Sequence, residues 1–266
     1  MNEWQSGRGG PLASGVSGTA FLSHESIASD AARVREVSQL ASQTSIKDRK
    51  QLDLQHEIVS DAAEADIQLT FAPAGMNPYS SDRVSGLFAH TDPGNYIGSV
   101  AVLNHPFSRG SSHIISSDPQ THPVFNPNYF AKEVDFEIMV DAILFLQRVY
   151  NTAPMADLVK SSEDGNSKEI QPNFKIQGPI DRSVAEKLVR DAAISSWHPI
   201  GTCAMLPRDA GGVVDPQLKV YGAKGLRVVD ASIMPLHVRG NIASSVYALA
   251  ERAADMIKQD FVAMNH

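Results

Sequence analysis

The sequence is poor in the residues that build disulfides and metal sites. Its 266 residues include one cysteine, Cys203, which can form neither an intrachain disulfide nor a thiolate metal cluster. The nine histidines show no H-x-H or H-x-x-x-H spacing, so no metal site is predicted. The motifs G-x-S-x-G and G-x-x-x-x-G-K-[ST] are absent too, and the sequence indicates neither a hydrolase nucleophile nor a P-loop.

Excess positive charge and long apolar runs are also missing. The chain has 23 Lys and Arg against 30 Asp and Glu, a net charge of −7, whereas nucleic-acid-binding proteins normally present a basic face. No apolar run approaches the ~20 residues of a transmembrane helix. Residues 1–7 lack the apolar core of a signal peptide, and the sequence leaves localisation open. We therefore expect no nucleic-acid partner and no membrane partner.

The first two thirds of the chain mix strand and helix patterns without a βαβ rhythm. After a Gly- and Pro-rich loop over 6–18, residues 25–67 are helix-rich in composition. The patterns that follow predict strands at 67–72, 96–103 and 112–116, a loop at 118–128, helices at 130–150 and 181–194, and a polar loop at 160–173. This organisation predicts an α+β fold, with an antiparallel sheet covered by helices.

The last segment has a different pattern. Residues 226–231 form a nearly continuous apolar run closed by Asp230 and Ala231, as buried parallel strands do. A helix follows at 242–258, with Asn241 as the candidate N-cap. Ligands gather at the carboxyl ends of such strands, and a helix N-terminus suits an anionic group. The alternative is a capped core helix without a ligand.

Among the histidines, His198 has the most distinctive surroundings. Pro199 biases its backbone towards an extended shape. Trp197 and Ile200 supply an apolar wall, which disfavours the charged imidazolium and would hold the ring neutral, as a general base must be. A packed core histidine is the alternative interpretation of the same pattern.

Several motifs, taken in order and spacing, resemble the C-terminal signature of the glucose–methanol–choline (GMC) oxidoreductases. They are His198-Pro-Ile-Gly-Thr-Cys-Ala-Met, Gly211-Gly-Val-Val-Asp, Val220-Tyr-Gly, Leu226-Arg-Val-Val-Asp-Ala-Ser-Ile, Gly240-Asn241 and Tyr247-Ala-Leu-Ala-Glu. Four upstream motifs are similar to further family elements: Gly10-Pro11-Leu12, Pro106-Phe-Ser-Arg-Gly, Asp118-Pro119 and Asn126-Pro-Asn-Tyr-Phe. The resemblance covers nearly the whole chain and points to fungal relatives.

The resemblance implies an FAD-dependent oxidoreductase that acts on the CH–OH group of an alcohol. Residues 1–193 would form a substrate-binding domain. Residues 194–266 would supply the C-terminal strand and helix of a Rossmann-like FAD-binding domain. The family's G-x-G-x-x-G loop, which holds the ADP half of FAD, is not in the sequence, so we expect the chain to correspond to the back half of such an enzyme.

The resemblance also assigns roles to individual residues. His198 aligns with the catalytic base that takes the hydroxyl proton as a hydride passes to flavin N5, and Asn241 with the second active-site position. The expected flavin contacts are Asp230, Ala231, Asn241 and Ile242. Trp197 and His237 are candidate pocket residues.

The substrate alcohol stays open, and the electron acceptor is oxygen or another compound. Two alternatives remain at this stage. The pocket could serve a non-redox lyase or cyclase that keeps flavin as a structural element. The chain could also be a non-catalytic remnant.

Overall fold

The computed structural model describes residues 15–43, 49–77, 86, 95–160 and 180–264. The chain divides into two compact units, each built from three chain segments. The described residues of the first unit lie up to Ser38, in Ala62–Leu103 and in Phe136–Ser196; those of the second lie in Gln39–Asp61, in Asn104–Asp135 and from Trp197 onward. Residues 6–14 and 161–173 of the predicted loops, with Gly10-Pro11-Leu12, lie outside the described residues.

The first unit contains an antiparallel sheet in the order β1-β2-β3. Its strands are β1 (Gly18–Leu22), β2 (Ile67–Ala72) and β3 (Gly98–Leu103). In the central strand, Ile67 pairs with Leu22 on one side and with Leu103 on the other. Ile67 and Leu69 are buried on one face of this strand, because alternate residues share a face, and Gln68 is buried on the other. The predicted strands at 67–72 and 96–103 and the antiparallel sheet are confirmed.

The helices confirm the predicted mixture of helix and sheet. They are α1 (His24–Ile27), α2 (Ala31–Gln43), α3 (Arg49–Ser60), α4 (Glu133–Tyr150), α5 (Met155–Leu158), α6 (Arg182–Ala192) and α7 (Ala243–Met264). On α4, Ile138, Ala142 and Leu146 are buried at a spacing of four residues, which aligns them on one helix face. Asp181 caps α6 as predicted, and its carboxylate accepts the Val184 N–H at 2.9 Å.

The second unit contains a small sheet and a core beneath its long C-terminal helix. The sheet pairs β4 (Ser111–His113) with β5 (Val124–Asn126). The core cluster consists of Val214, Leu218, Ile233 and Ala253, which are buried. Because Ala253 lies in the middle of α7, this cluster fixes the helix against the loops that precede it.

The predicted parallel strand at 226–231 is wrong. The segment instead forms an isolated antiparallel bridge between Arg227 and Lys219, and the Val228 N–H donates to the Leu218 carbonyl at 3.2 Å. Leu226 is 53% exposed. A buried parallel strand needs neighbours on its edges and helices over its faces, and among the described residues only the 218–220 segment pairs with it.

Three predicted boundaries also need correction. β4 ends at His113, so residues 114–116 are not part of a strand, and β5 lies inside the predicted loop at 118–128. The first intrahelical bond of α7 runs from the Val246 N–H to the Ile242 carbonyl. Ile242, which is buried, is therefore the cap residue, and Asn241 precedes it by one.

A buried ionic cluster joins four elements of the first unit. Asp141 on α4 accepts from Arg33 Nε at 2.8 Å and from His24 Nε2 at 2.8 Å. Glu137, one turn earlier, pairs with both Arg33 and Arg182. Removal of one member would leave an uncompensated buried charge, which is strongly destabilising. The cluster therefore holds α1, α2 and α6 to α4.

Asp66 is a buried acid beside this cluster that has no cationic side-chain partner among the described residues. Its Oδ2 accepts the His24 backbone N–H at 2.8 Å, whereas its Oδ1 is buried without a hydrogen bond from any described residue. Burial raises the pKa of Asp66 from its ordinary 3.8 to about 6, against the smaller lowering effect of the His24 N–H.

No described helix is long and apolar enough to cross a membrane.

We expect Asp66→Asn to stabilise the protein at neutral pH. Between pH 4 and about 6, the folded state holds a proton that the unfolded chain has released. The free energy of unfolding therefore falls as pH rises through this window, and the loss is complete above it. Asparagine mimics the protonated acid, so the variant's advantage should grow to at most about 3 kcal/mol at pH 8.

Urea unfolding at pH 4.5 and pH 8 measures this advantage. Asp53→Asn, on the exposed side of α3, is the matched control and should show no such growth. An Asp66→Asn advantage that is equal at both pH values would contradict the burial of a charged carboxylate.

Candidate functional site

The predicted site residues lie on two parts of the second unit, the His198 loop (residues 197–205) and the 230–242 segment. Two backbone hydrogen bonds join them. The Cys203 N–H donates to the Ser232 carbonyl at 2.9 Å, and the Met205 N–H donates to the Ile233 carbonyl at 2.8 Å. Residues far apart in sequence are therefore held side by side.

The His198 loop has an unusual backbone. Trp197 has a φ of 58° and Gly201 a φ of 84°. The left-handed region is costly for a bulky side chain and is retained only where the surroundings impose it. Pro199 further limits His198 to extended conformations. The His198 side chain is half-buried, but Trp197 is 52% exposed. The predicted apolar surroundings of His198 are therefore open to solvent over about half of the Trp197 surface.

Asp230 has a structural task at the start of its segment. One oxygen, Oδ1, accepts the Ser232 N–H at 2.8 Å and the Ser232 hydroxyl at 2.5 Å. These bonds cap the short 3-10 helix at Ala231–Ile233. Asp230 Oδ2 accepts no hydrogen bond from a described residue, so this exposed oxygen is available to a ligand hydroxyl.

His237 connects the two parts of the site. Its Nε2 lies 2.9 Å from the His198 carbonyl oxygen, and its Nδ1 lies 3.1 Å from the Val238 carbonyl oxygen. The sequence suggested only a pocket-lining role for this ring. In the structure, one of its nitrogens lies against the backbone of the candidate base.

Asn104 fixes the turn before α7, and the sequence analysis missed it. Its side chain is buried, and its Oδ1 accepts the Gly240 N–H at 3.2 Å. Gly240 has a φ of 77°, so the turn needs a residue that tolerates the left-handed region. Asn241 is exposed and follows directly, and its position therefore depends on a residue more than a hundred positions away.

The Pro106–Gly110 motif is held by a buried acid that the sequence analysis also missed. Asp135 accepts the N–H groups of Phe107 and Ser108, each at 2.7 Å. Burial raises the pKa of Asp135 although these hydrogen bonds lower it. The signal available in the sequence was the position of Asp135. This acid directly follows Val134, which lies on the apolar face of the predicted helix. The contacts give this motif a structural role in the described residues.

The structure brings His198 and His237 together, and it orders Asp230 with Ala231 through the cap. It does not join the His198 ring to the Asn241 amide: neither side chain has a hydrogen-bond partner among the described residues. Both polar groups are thus free to bind a substrate or a cofactor. No group of three or more His, Cys, Asp or Glu side chains in the described part of the chain could hold a metal ion.

The start of α7 fits the ring end of a flavin. The first N–H groups of a helix have no intrahelical partner and carry partial positive charge, and α7 continues for 22 residues. Exposed Asn241 precedes these groups, and buried Ile242 anchors them. This donor set suits an electron-rich ring edge with carbonyl oxygens, and Asp230 Oδ2 could accept from a ribityl hydroxyl.

Comparison with known proteins gives a consistent result. The family model described as GMC oxidoreductase matches residues 106–250. The GMC oxidoreductase family protein Mala s 12 of Malassezia sympodialis is 43% identical over 157 residues, which are 59% of this chain and 24% of that protein. Dehydrogenase mpl7 of Monascus purpureus is 32% identical over 224 residues, which are 83% of this chain and 34% of that protein.

A solved structure agrees with these matches. A fungal aryl-alcohol oxidase superposes with a TM-score of 0.65 at 27% identity, over 92% of this chain and 38% of that one. The chain spans about a quarter to a third of the length of the curated relatives described above.

We expect Asn104→Ala to loosen the turn that carries Asn241. The variant leaves the Gly240 N–H without its acceptor, which should cost roughly 1–3 kcal/mol in the free energy of unfolding. Amide hydrogen exchange should accelerate at Gly240. Asn126→Ala is the matched control, since Asn126 Oδ1 accepts only the neighbouring Asn128 N–H at 3.1 Å on the surface. Equal Gly240 exchange rates in the two variants would refute the role of Asn104.

Proposed function

This chain belongs to the GMC oxidoreductase family, and from that premise we propose that it forms part of an FAD-dependent enzyme that oxidises the CH–OH group of a small-molecule alcohol. The observation that carries the proposal is the family match over 106–250, which includes His198, Asp230 and Asn241. The similarity to a fungal aryl-alcohol oxidase supports an alcohol as the substrate class. Oxygen or another acceptor would reoxidise the cofactor.

In this proposal, residues 1–193 bind the substrate and residues 194–266 complete the cofactor domain. Asp230 and Ala231, with Asn241 and Ile242 at the start of α7, contact the flavin. Bound FAD would supply the hydride acceptor. Trp197, with its exposed indole face, and His237 border the substrate.

His198 is the proposed general base. Its ring has no hydrogen-bond partner among the described residues, so a nitrogen lone pair is free to take the hydroxyl proton of the alcohol. General-base catalysis of this kind contributes on the order of 10²–10⁴ in rate. The half-buried position limits the access of water to the ring.

Asn241 is the proposed donor to the substrate oxygen. As the hydroxyl loses its proton, negative charge develops on this oxygen, and a fixed N–H donor stabilises it more in the transition state than in the ground state. The exposed amide of Asn241 is free for this bond. Asn104 contributes by fixing the preceding Gly240.

A second candidate is a non-catalytic chain that acts only in association with another polypeptide. Tyr247, Ile257 and Phe261 on α7 are 76%, 45% and 66% exposed, and their spacing places them on one side of the helix. Exposed apolar side chains along one helix face are typical of an association site. Obligate association of the purified chain without alcohol-dependent flavin reduction would favour this candidate.

We expect the 266-residue chain, purified without added cofactor, to show no visible flavin absorbance. The sequence contains no G-x-G-x-x-G loop, which holds the pyrophosphate in dinucleotide sites of this kind. Absorption spectroscopy of the purified chain tests this expectation. A flavin spectrum would contradict it and would mean that the α7 region retains FAD unaided.

We expect His198→Ala, in a complete flavin-loaded enzyme that carries this sequence, to slow flavin reduction by about 10² or more. Asn241→Ala should cause a smaller loss, confined to the chemical step. Stopped-flow reduction by the alcohol measures both, and reduction itself separates redox from non-redox chemistry. His113→Ala, in exposed β4, is the matched histidine control. Unchanged reduction in His198→Ala would overturn the proposed base.

A further inference from the structure

We propose that His237 is a positioning residue, which fixes the backbone of His198 by donating a hydrogen bond from Nε2 to the His198 carbonyl. This inference rests on the proposed role of His198 as the base. It assigns to His237 a task that differs from lining the pocket. The 2.9 Å bond spans 39 positions of sequence.

The ring faces acceptors with both of its nitrogens. Nε2 lies 2.9 Å from the His198 carbonyl, and Nδ1 lies 3.1 Å from the Val238 carbonyl. Carbonyl oxygens only accept, and a neutral imidazole carries one N–H. The bond to His198 therefore exists in the Nε2–H tautomer and in the protonated ring, but not in the Nδ1–H tautomer. The proposal requires a proton on Nε2.

The strained His198 loop explains why such a bond is needed. Trp197 adopts a φ of 58°, a conformation that persists only where neighbours hold it. The downstream end of the loop is fixed by the bond from the Cys203 N–H to Ser232. The bond from His237 to His198 fixes the upstream end. Both ends are thereby tied to one continuous segment, 230–242.

The same segment leads to the second candidate catalytic residue. Asn241 lies four positions after His237, and the intervening turn is fixed at Gly240 by Asn104 Oδ1, 3.2 Å away. The separation between the His198 backbone and Asn241 is therefore set within a few residues. Since a displacement of about 1 Å can cost on the order of 10² in rate, this short connection matters for a base and a donor that act on one substrate oxygen.

The two histidines consequently have different tasks. Both nitrogens of His237 lie against backbone carbonyls, so neither offers a free lone pair towards a substrate. The His198 ring has no partner among the described residues, although its carbonyl is bound. His237 acts through His198 and is a positioning residue.

The test compares His237→Phe, which keeps a planar ring but removes the donor, with His237→Gln, whose amide nitrogen can reach the same carbonyl. The chain itself is labelled with ¹³C- and ¹⁵N-histidine. We expect the wild-type His237 ring to carry a proton on Nε2. In His237→Phe the carbonyl signal of His198 should shift and its ring signals should broaden or split, whereas His237→Gln should keep both close to wild type.

Three results would overturn the inference. The first is an Nε2 without a proton in wild-type His237. The second is an unchanged carbonyl signal of His198 in His237→Phe, and the third is identical spectra for the Phe and Gln variants. The first needs no substitution, so it decides the matter even where a variant fails to fold.

Kinetics separate this inference from the proposed function. In the flavin-loaded enzyme, His237→Phe should slow flavin reduction by on the order of tenfold without a matching loss of substrate affinity, and His237→Gln should recover most of the rate. If His198→Ala slows reduction and His237→Phe does not, the positioning role alone fails. If His198→Ala does not change the rate of flavin reduction, the proposed function fails. The spectra of the His237 ring then still test the hydrogen bond to the His198 carbonyl.

Discussion

Two backbone hydrogen bonds, from Cys203 to Ser232 and from Met205 to Ile233, are the constraint on which the candidate site depends. They align the His198 loop with the segment that carries Asp230 and Asn241, and the buried side chain of Ile233 anchors that segment in the core under α7. Backbone bonds of this kind do not depend on side-chain identity. The site can therefore change its polar groups while it keeps its geometry.

The sequence predicted the elements whose signals are local. The alternation at 67–72 and the cap at Asp181 are properties of a few neighbouring residues, and both are present in the structure. The parallel strand at 226–231 failed because an apolar run does not reveal its pairing partner. Here the segment folds back on the residues just before it, as the bridge from Arg227 to Lys219 records.

The supporting residues of the site could not be read from the sequence, for a related reason. Asn104 and Asp135 act on backbone N–H groups elsewhere in the chain. One asparagine among many carries no mark of that task, and the place of Asp135 beside the apolar Val134 does not tell which groups it binds. The sequence analysis named His237 only as a candidate pocket residue. The family resemblance named candidate ligand-binding residues, whereas the structure identified the contacts that hold their segments in place.

The ionic cluster around Asp141 has a consequence for how the chain folds during synthesis. Its acceptors are the carboxylates of Glu137 and Asp141, so the helices that carry His24 and Arg33 cannot reach these partners until the ribosome has passed residue 141. Contacts between such distant residues form slowly, because loop closure costs entropy before the contacts stabilise it. The segment that carries His24 and Arg33 must therefore remain incompletely packed while about a hundred further residues are translated, with its charged groups still hydrated.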